Sequence, residues 1–388
     1  MTRVFWNIWS SYATFYFGRV NLSIVVPVLL ATYGDLSLYN VGLVSSGFMA
    51  TYAIGQFLHG QISERFNPFV YIGIGLLGSA IVNLTLGFSA GFFWALLVGE
   101  MIDGGFQSMG WSSTVRANAE TSKEPEKYST VLGTAYQVGN SVAWIVCAFA
   151  VGQFGWQAGF WVATIVMMVR AVTLLASRYH LEVKPRKIGK QVRLTLSWPI
   201  FISGLSLCLL NMVRYGVIIW IPTYLYREFT MPIEEVGLNI FLIPIAGVVG
   251  TLMYTRFKAP KDVLSVLYLL ALGSMFLLLP GLSGMAMFAV LLLSGFFLYG
   301  PHVFLVTTFP TRFHEHKLVA AAAGFIDGWG YIGAIAIGVL VPFLLDQTGS
   351  WTSVFYFWAA VSFVIVALVM FVYIGTRKKG LFGSEKAG

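Results

Sequence analysis

Charge is scarce in this sequence. Of its 388 residues, 10% are Asp, Glu, Lys or Arg, against about 25% in a water-soluble domain. That scarcity excludes a domain whose surface is kept in solution by ionised side chains. Cysteine is scarcer still. Cys147 and Cys208 both lie in apolar runs, with neither metal-ligand nor redox spacing, so a disulfide framework and a thiolate metal site are excluded. No Gly-rich phosphate loop, nucleophile elbow or metal-spaced cluster occurs in a loop that could hold chemistry. The expectation is a protein that is not an enzyme and uses no cofactor and no metal. A cleavable leader is not expected either, because residues 5–31 are too long and too aromatic for a signal sequence and read as a membrane-crossing helix.

Apolar residues are what the chain has in excess. They make up 57% of it, and the mean hydropathy is +0.78. Runs of about 20 apolar residues recur along the whole length, so the solvent for most of the molecule is lipid. These runs predict an all-α membrane protein with twelve transmembrane helices, at 5–31, 40–62, 69–89, 92–117, 127–153, 156–177, 197–225, 236–256, 263–281, 284–308, 317–345 and 352–375. Of the 24 Lys and Arg residues, 20 fall in the segments that are cytoplasmic if the N-terminus is inside, or at helix ends beside them. The bias predicts cytoplasmic N- and C-termini. It also accounts for the net charge of +8 by attraction to anionic inner-leaflet headgroups, so no nucleic-acid partner is needed. The basic run "KPRKIGKQVR" (184–193) is the middle cytoplasmic loop.

The chain repeats itself. Arg19 and Arg214 are 195 residues apart, and so are "VGL" at 41–43 and 236–238, Gly55 and Gly250, and Trp156 and Trp351. "GTAYQVG" (133–139) matches "GFIDGWG" (324–330) at an offset of 191. The organisation predicted is an N-terminal six-helix half (1–177), a cytoplasmic linker (178–196) and a C-terminal six-helix half (197–388). Two such pseudo-symmetric halves in parallel orientation are similar to the major facilitator fold, in which substrate binds at the membrane midplane between them.

Ionisable residues inside membrane segments are rare and default to a functional reading. Here they are Arg19, Glu100, Asp103, Arg170, Arg214 and Asp327, with Arg116 and Arg312 near inner ends. Arg170 lies close enough to the basic loop for snorkelling; Arg116 and Arg312 fit inner-gate or interhelical contacts. Arg19 and Arg214 lie near mid-span in the first and seventh predicted helices, each eight residues before a proline, Pro27 and Pro222. Two guanidiniums converging from opposite halves repel each other, and an anion between them relieves that repulsion. Phosphate fits, because its tetrahedral oxygens can accept from both forks. The alternative is that each arginine pairs with a buried acid: Glu100, Asp103 or Asp327.

"RYGVIIWIPTYL" (214–225), "FQSMGWSS" (106–113), "YGP" (299–301) and "AAAGFIDGWGYIGA" (321–334) together resemble the organophosphate:phosphate antiporter family over nearly the whole chain. The resemblance implies that Arg19 and Arg214 bind the phosphoryl group, and that an organic phosphate exchanges with inorganic phosphate by rocker-switch alternating access. The chain is expected to be an integral, multi-pass, monomeric protein of a prokaryotic inner membrane. Tyr52, Tyr299 and Tyr331 keep the family's tyrosines. The sequence departs at three binding positions: Gln56 replaces a lysine, Tyr136 a histidine and Asn211 a tyrosine. Through the repeat, Asp327 is the mate of Tyr136 and should point into the substrate cavity, where it could pair with Arg214, carry a proton or receive a cationic group of a zwitterionic substrate. Trp144, Trp220 and Trp329 would suit a quaternary ammonium.

Glu100 and Asp103 are one helical turn apart, and Gln107 continues the same face; the pair could relay a proton, pair with an arginine or lie along a solvated helix edge. Glu100 stands where many proton-coupled drug antiporters carry an arginine, which counts against multidrug efflux. Glu64 and Arg65 in "GQISERFNP" resemble the charged positions of the superfamily's cytoplasmic gate loop. His302 after "YGP" reads better as a buried, hydrogen-bonded neutral side chain than as a substrate ligand. Two other functions remain open: a proton-coupled symporter of an organic anion or zwitterion using Asp327 or Asp103, and a non-transporting membrane sensor of the same ligand.

Overall fold

The computed structural model describes residues 3–63, 66–121, 131–177, 198–312 and 319–378, and all regular structure among them is helical. In chain order the helices are α1 (Arg3–Thr32), α2 (Leu38–Ile62), α3 (Pro68–Ser89), α4 (Phe93–Gln107), α5 (Met109–Thr121), α6 (Thr134–Phe154), α7 (Gln157–Leu175) and α8 (Trp198–Glu228). They continue with α9 (Ile233–Ile240), α10 (Leu242–Arg256), α11 (Lys261–Leu278), α12 (Gly284–Val303), a π turn (Phe304–Thr308), α13 (Phe309–Thr311), α14 (Val319–Thr348) and α15 (Trp351–Lys378). Among the described residues, each predicted apolar segment is largely helical. Among the described residues, 10 helical stretches are long and apolar enough to cross a membrane; α2 and the α4–α5 pair are not in that set.

The interruptions have local causes. Between α4 and α5, Ser108 turns its hydroxyl back onto the Gly105 carbonyl at 2.6 Å, within the weakly helical stretch Gly104, Gly105, Ser108 and Gly110. Gly55 of α2 presses on the same point: a Cβ there would lie 2.1 Å from Ser108 Oγ. In α12, Pro301 lacks the amide that would continue the ladder, and the chain widens into the π turn immediately afterwards. Pro27 and Pro222 are accommodated within α1 and α8. The ends are capped from side chains. Ser37 and Asn40 form a capping box at the start of α2, and Asn67 accepts from the Phe69 amide at the start of α3.

The chain parts into two compact units, one holding Met1–Lys187 and Ile218–Ile245, the other Ile188–Val217 and Ala246–Gly388. The helix α8 therefore contributes to both. Within the first unit, α9 packs on α6: a Cβ at Gly237 would sit 2.2 Å from Ala148 Cβ, and Gln153 Nε2 donates to Glu234 Oε1 at 3.2 Å.

Inside each unit the repeated glycines mark equivalent contacts. Gly55 brings α2 onto the α4–α5 break, and Gly250 brings α10 onto α12, where a Cβ would lie 2.0 Å from the Phe296 carbonyl oxygen. Gly139 lets α6 close on the Ala13 backbone of α1, while Gly330 lets α14 close on Leu207 and Asn211 of α8. Small residues allow this approach in lipid, where packing rather than water exclusion drives helix association. The C-terminal ends of α2 and α10 are each capped by a cation: Arg116 donates to the Ser63 and Phe66 carbonyls, and Lys261 to those of Tyr254, Thr255 and Phe257.

Polarity is inverted relative to a soluble protein. Phe88, Phe92, Trp94, Phe154, Ile165 and Met285 are exposed, whereas Asn21, Ser79, Asn83, Glu100, Asp103 and Gln107 are buried. The predicted gate pair Glu64 and Arg65 and the linker 178–196 lie outside the described residues.

Candidate substrate-binding sites

In the first unit, the site is built around Arg19 on α1. One turn earlier, Tyr16 accepts from Arg19 Nη1 at 3.1 Å and places its ring 4.6 Å from the guanidinium carbon. Tyr52 of α2 lies under the same carbon at 4.5 Å, and its hydroxyl accepts from Gln56 Nε2 at 2.7 Å. Tyr136 of α6 comes within 6.3 Å of the Tyr16 ring. Tyr12 extends the wall between Tyr16 and Trp111. Aromatic faces orient a guanidinium without neutralising it.

Arg19 Nη2 also donates to Gln107 Oε1 at 3.3 Å. The other end of that amide leads away from the site: Gln107 Nε2 donates to Ser79 Oγ at 3.0 Å and to Asp103 Oδ2 at 3.4 Å. Asp103 accepts as well from the Ser79 hydroxyl and from Asn83 Nδ2 at 3.3 Å, and Asn83 Oδ1 accepts from Asn21 Nδ2 at 2.7 Å. Arg19 and Asp103 thus communicate through a side-chain amide. Glu100, one turn along α4, is 2% exposed, its Oε1 has no hydrogen-bond partner among the described residues, and Asp103 is the charge acting on it.

The second unit builds its site around Arg214 on α8. Tyr215 and Tyr299 place their rings 4.9 and 5.7 Å from the guanidinium carbon. His302 Nε2 lies 3.5 Å from Arg214 Nη1. A guanidinium can only donate, so the imidazole nitrogen is the acceptor. Asp327 on α14 is half-buried, and Arg214 is the charge acting on it. Asn211, one turn before Arg214, is buried, with its Oδ1 unpartnered among the described residues. Tyr331 is half-buried one turn beyond Asp327.

Of the predicted residues, Arg19, Tyr52, Gln56 and Tyr136 gather in one unit, and Arg214, Asn211, Tyr299 and Asp327 belong to the other. Sequence reasoning missed Tyr16, Tyr215 and Gln107 as partners of the arginines, while the expectation of a neutral, hydrogen-bonded His302 agrees with its contact to Arg214. The signal for Tyr16 was its position three residues before Arg19, which puts both on one helical face. Arg170 departs from the snorkelling expectation. It turns inward and donates to Ser11 Oγ and to the Asn7 carbonyl and side chain on α1. Arg312 meets the expectation of an interhelical contact by pairing in a two-pronged fashion with Asp262.

Residues 8–338 match the sequence profile of the Major Facilitator Superfamily. The chain belongs to that superfamily. Within it, this member is 27% identical over 391 residues to the membrane sensor protein UhpC of Escherichia coli (strain K12), covering 90% of this chain and 87% of the relative. It is 24% identical over 386 residues to the glycerol-3-phosphate transporter of Bacillus subtilis (strain 168), covering 89% and 86%. Its fold resembles that of a bacterial homolog of the human lysosomal transporter Spinster, in an inward-facing and occupied conformation. That likeness has a TM-score of 0.72, 14% identity and 96% coverage of both chains, and it concerns the fold alone. The expected similarity to the organophosphate:phosphate antiporters therefore holds, and this superfamily member is an integral multi-pass membrane protein.

Proposed function

We propose that this protein carries a small organophosphate or related organic anion across a prokaryotic inner membrane, with Arg19 and Arg214 as its anion-binding groups. It works as a monomer with twelve membrane crossings and cytoplasmic termini, by rocker-switch alternating access in exchange for inorganic phosphate. The observation that carries this reading is the duplicated setting of the arginines. Each is deep in a membrane helix, and each is oriented by two tyrosine rings. A charged side chain at the bilayer centre costs about 3 kcal/mol, and a repeat that keeps that cost twice is best explained by anion binding at each arginine. The similarity to a glycerol-3-phosphate transporter supports a phosphate ester. Asp327 in the field of Arg214 supports a zwitterionic one, its carboxylate receiving a cationic group while Tyr52, Gln56, Tyr136, Asn211, Tyr299 and Tyr331 shape the rest.

The test is inorganic phosphate self-exchange in proteoliposomes. Arg19→Lys and Arg214→Lys keep the charge but lose the fork, and each should cut exchange at least about 100-fold, the loss expected of about 3 kcal/mol. Exchange within twofold of wild type in either variant would sink the assignment of that arginine as an anion ligand.

A second reading is favoured by the similarity to a membrane sensor protein: a non-transporting receptor for the same ligand. Purified protein that is thermally stabilised by phosphate esters, yet moves no labelled phosphate across a sealed bilayer, would decide for the sensor.

A further inference from the structure

The network beyond Arg19 holds more acid than anion binding needs. Asp103 and Glu100 occupy successive turns of α4, 0% and 2% exposed, and Gln107 on the next turn bridges the acidic end to Arg19. The groups brought together are one guanidinium and two carboxyls, far from water. Two ionised carboxylates one turn apart in low dielectric repel each other strongly. The hydrogen bonding shows the same imbalance independently. Asp103 takes donors from Ser79, Asn83 and Gln107, whereas Glu100 Oε1 and Asn21 Oδ1, the latter on α1 and 0% exposed, have no donor among the described residues. Buried acceptors without donors are strongly disfavoured. This cluster is short of hydrogen. It does not offer a metal ion a cage, since the Asp103 oxygens are already engaged by three donors, and a hard cation requires about six free oxygens.

We infer that the Glu100–Asp103 pair is a proton-binding site whose occupancy is linked, through Gln107, to anion binding at Arg19. A proton on a carboxylate removes one negative charge and turns an acceptor into a donor, correcting both deficits. When an anion arrives at Arg19, it adds negative charge to a cluster already rich in it and draws the positive end of the network toward itself. Anion and proton then favour each other's binding, and by reciprocity each raises the affinity for the other by the same factor. Such a linkage lets a proton gradient drive net anion uptake as well as one-for-one exchange. Among the described residues, the charge that the other elements packed on α4 bring to bear on the pair is Arg19 of α1. The titratable side chains of α1 near Arg19 are Tyr12 and Tyr16. That of α2 is Tyr52, on Arg19, with His59 held by Tyr71 of α3 at 2.6 Å; Arg116 of α5 is engaged at the end of α2. The inference rests on the reading of Arg19 as an anion ligand, and its test separates the two.

Reconstituted wild-type protein, with the membrane potential clamped, is given inorganic phosphate outside and an alkaline lumen. The expected result is net phosphate uptake with acidification of the lumen. Glu100→Gln should lose at least tenfold of that gradient-driven uptake and its acidification, while keeping phosphate self-exchange, which requires no net proton movement. Gradient-driven uptake in Glu100→Gln equal to wild type would overturn the inference, as would uptake that follows a sodium gradient and leaves lumen pH unchanged. A second readout needs no anion. The infrared spectrum at neutral pH should contain a protonated-carboxyl stretch that disappears in Glu100→Gln or Asp103→Asn. If the band is present but wild-type phosphate exchange is absent, the proton site stands and the anion reading falls; if no such band is found, the proton site falls.

Discussion

Arg312 pairs with Asp262 of α11. Nη1 donates to Oδ1 at 2.9 Å and Nη2 pairs with Oδ2, the side chains being 17% and 3% exposed. The geometry is bidentate and nearly dry, so removing one partner strands the other. Arg312→Ala should lower stability by about 3 kcal/mol in thermal unfolding of detergent-purified protein. Replacing both, as in Arg312→Met with Asp262→Leu, should cost less than the single change. A single-variant loss below about 1 kcal/mol would show that water reaches the pair. Arg19 and Arg214 lie against tyrosine rings, and among their partners are the Gln107 amide and the His302 imidazole. The sequence separates the two by position, Arg214 near mid-span and Arg312 near a helix end, but it does not name their partners. The choice of partner depends on which helices neighbour them. The two arginines were legible as exceptional only because a charge within an apolar run is.

At the scale of helices, most of the pattern was legible. Apolar runs and terminal basic residues place the helices to within a few residues, since the bilayer imposes a minimum length and forbids unpaired backbone. The breaks at Ser108 and after Pro301 were not foreseen. One depends on α2 pressing against a glycine-rich stretch, the other on a missing amide that a neighbouring helix tolerates. The duplicated glycines allow a comparison. A methyl at Gly250 meets the Phe296 backbone at its carbonyl, whereas a methyl at Gly55 meets the Ser108 hydroxyl, which can turn away, and at 2.8 Å the Ser108 Cβ, which needs a smaller shift than the carbonyl does. Gly250→Ala should therefore destabilise by about 2 kcal/mol, and Gly55→Ala by clearly less, in the same melting experiment. The reverse order would mean that α10 and α12 separate more easily than their contact implies.

For the whole molecule, the strongest sequence-level statement concerns sidedness. The excess of Lys and Arg in alternate loops predicts that both termini are cytoplasmic. A C-terminal alkaline phosphatase fusion should then be inactive in cells and a fluorescent-protein fusion bright; an active phosphatase would invert the topology. The sequence by itself determined the membrane character, the helical class and the duplication, because these follow from hydropathy, length and repeated spacing along the chain. It also marked Arg19, Arg214, Glu100, Asp103 and Asp327 as out of place in lipid. Only the tertiary structure decided their company. Tyr16 and Tyr52 come to Arg19, His302 comes to Arg214, and Gln107 ties Arg19 to Asp103. These are contacts between helices distant in sequence, set by how small residues let the helices close, and hydropathy has no access to them.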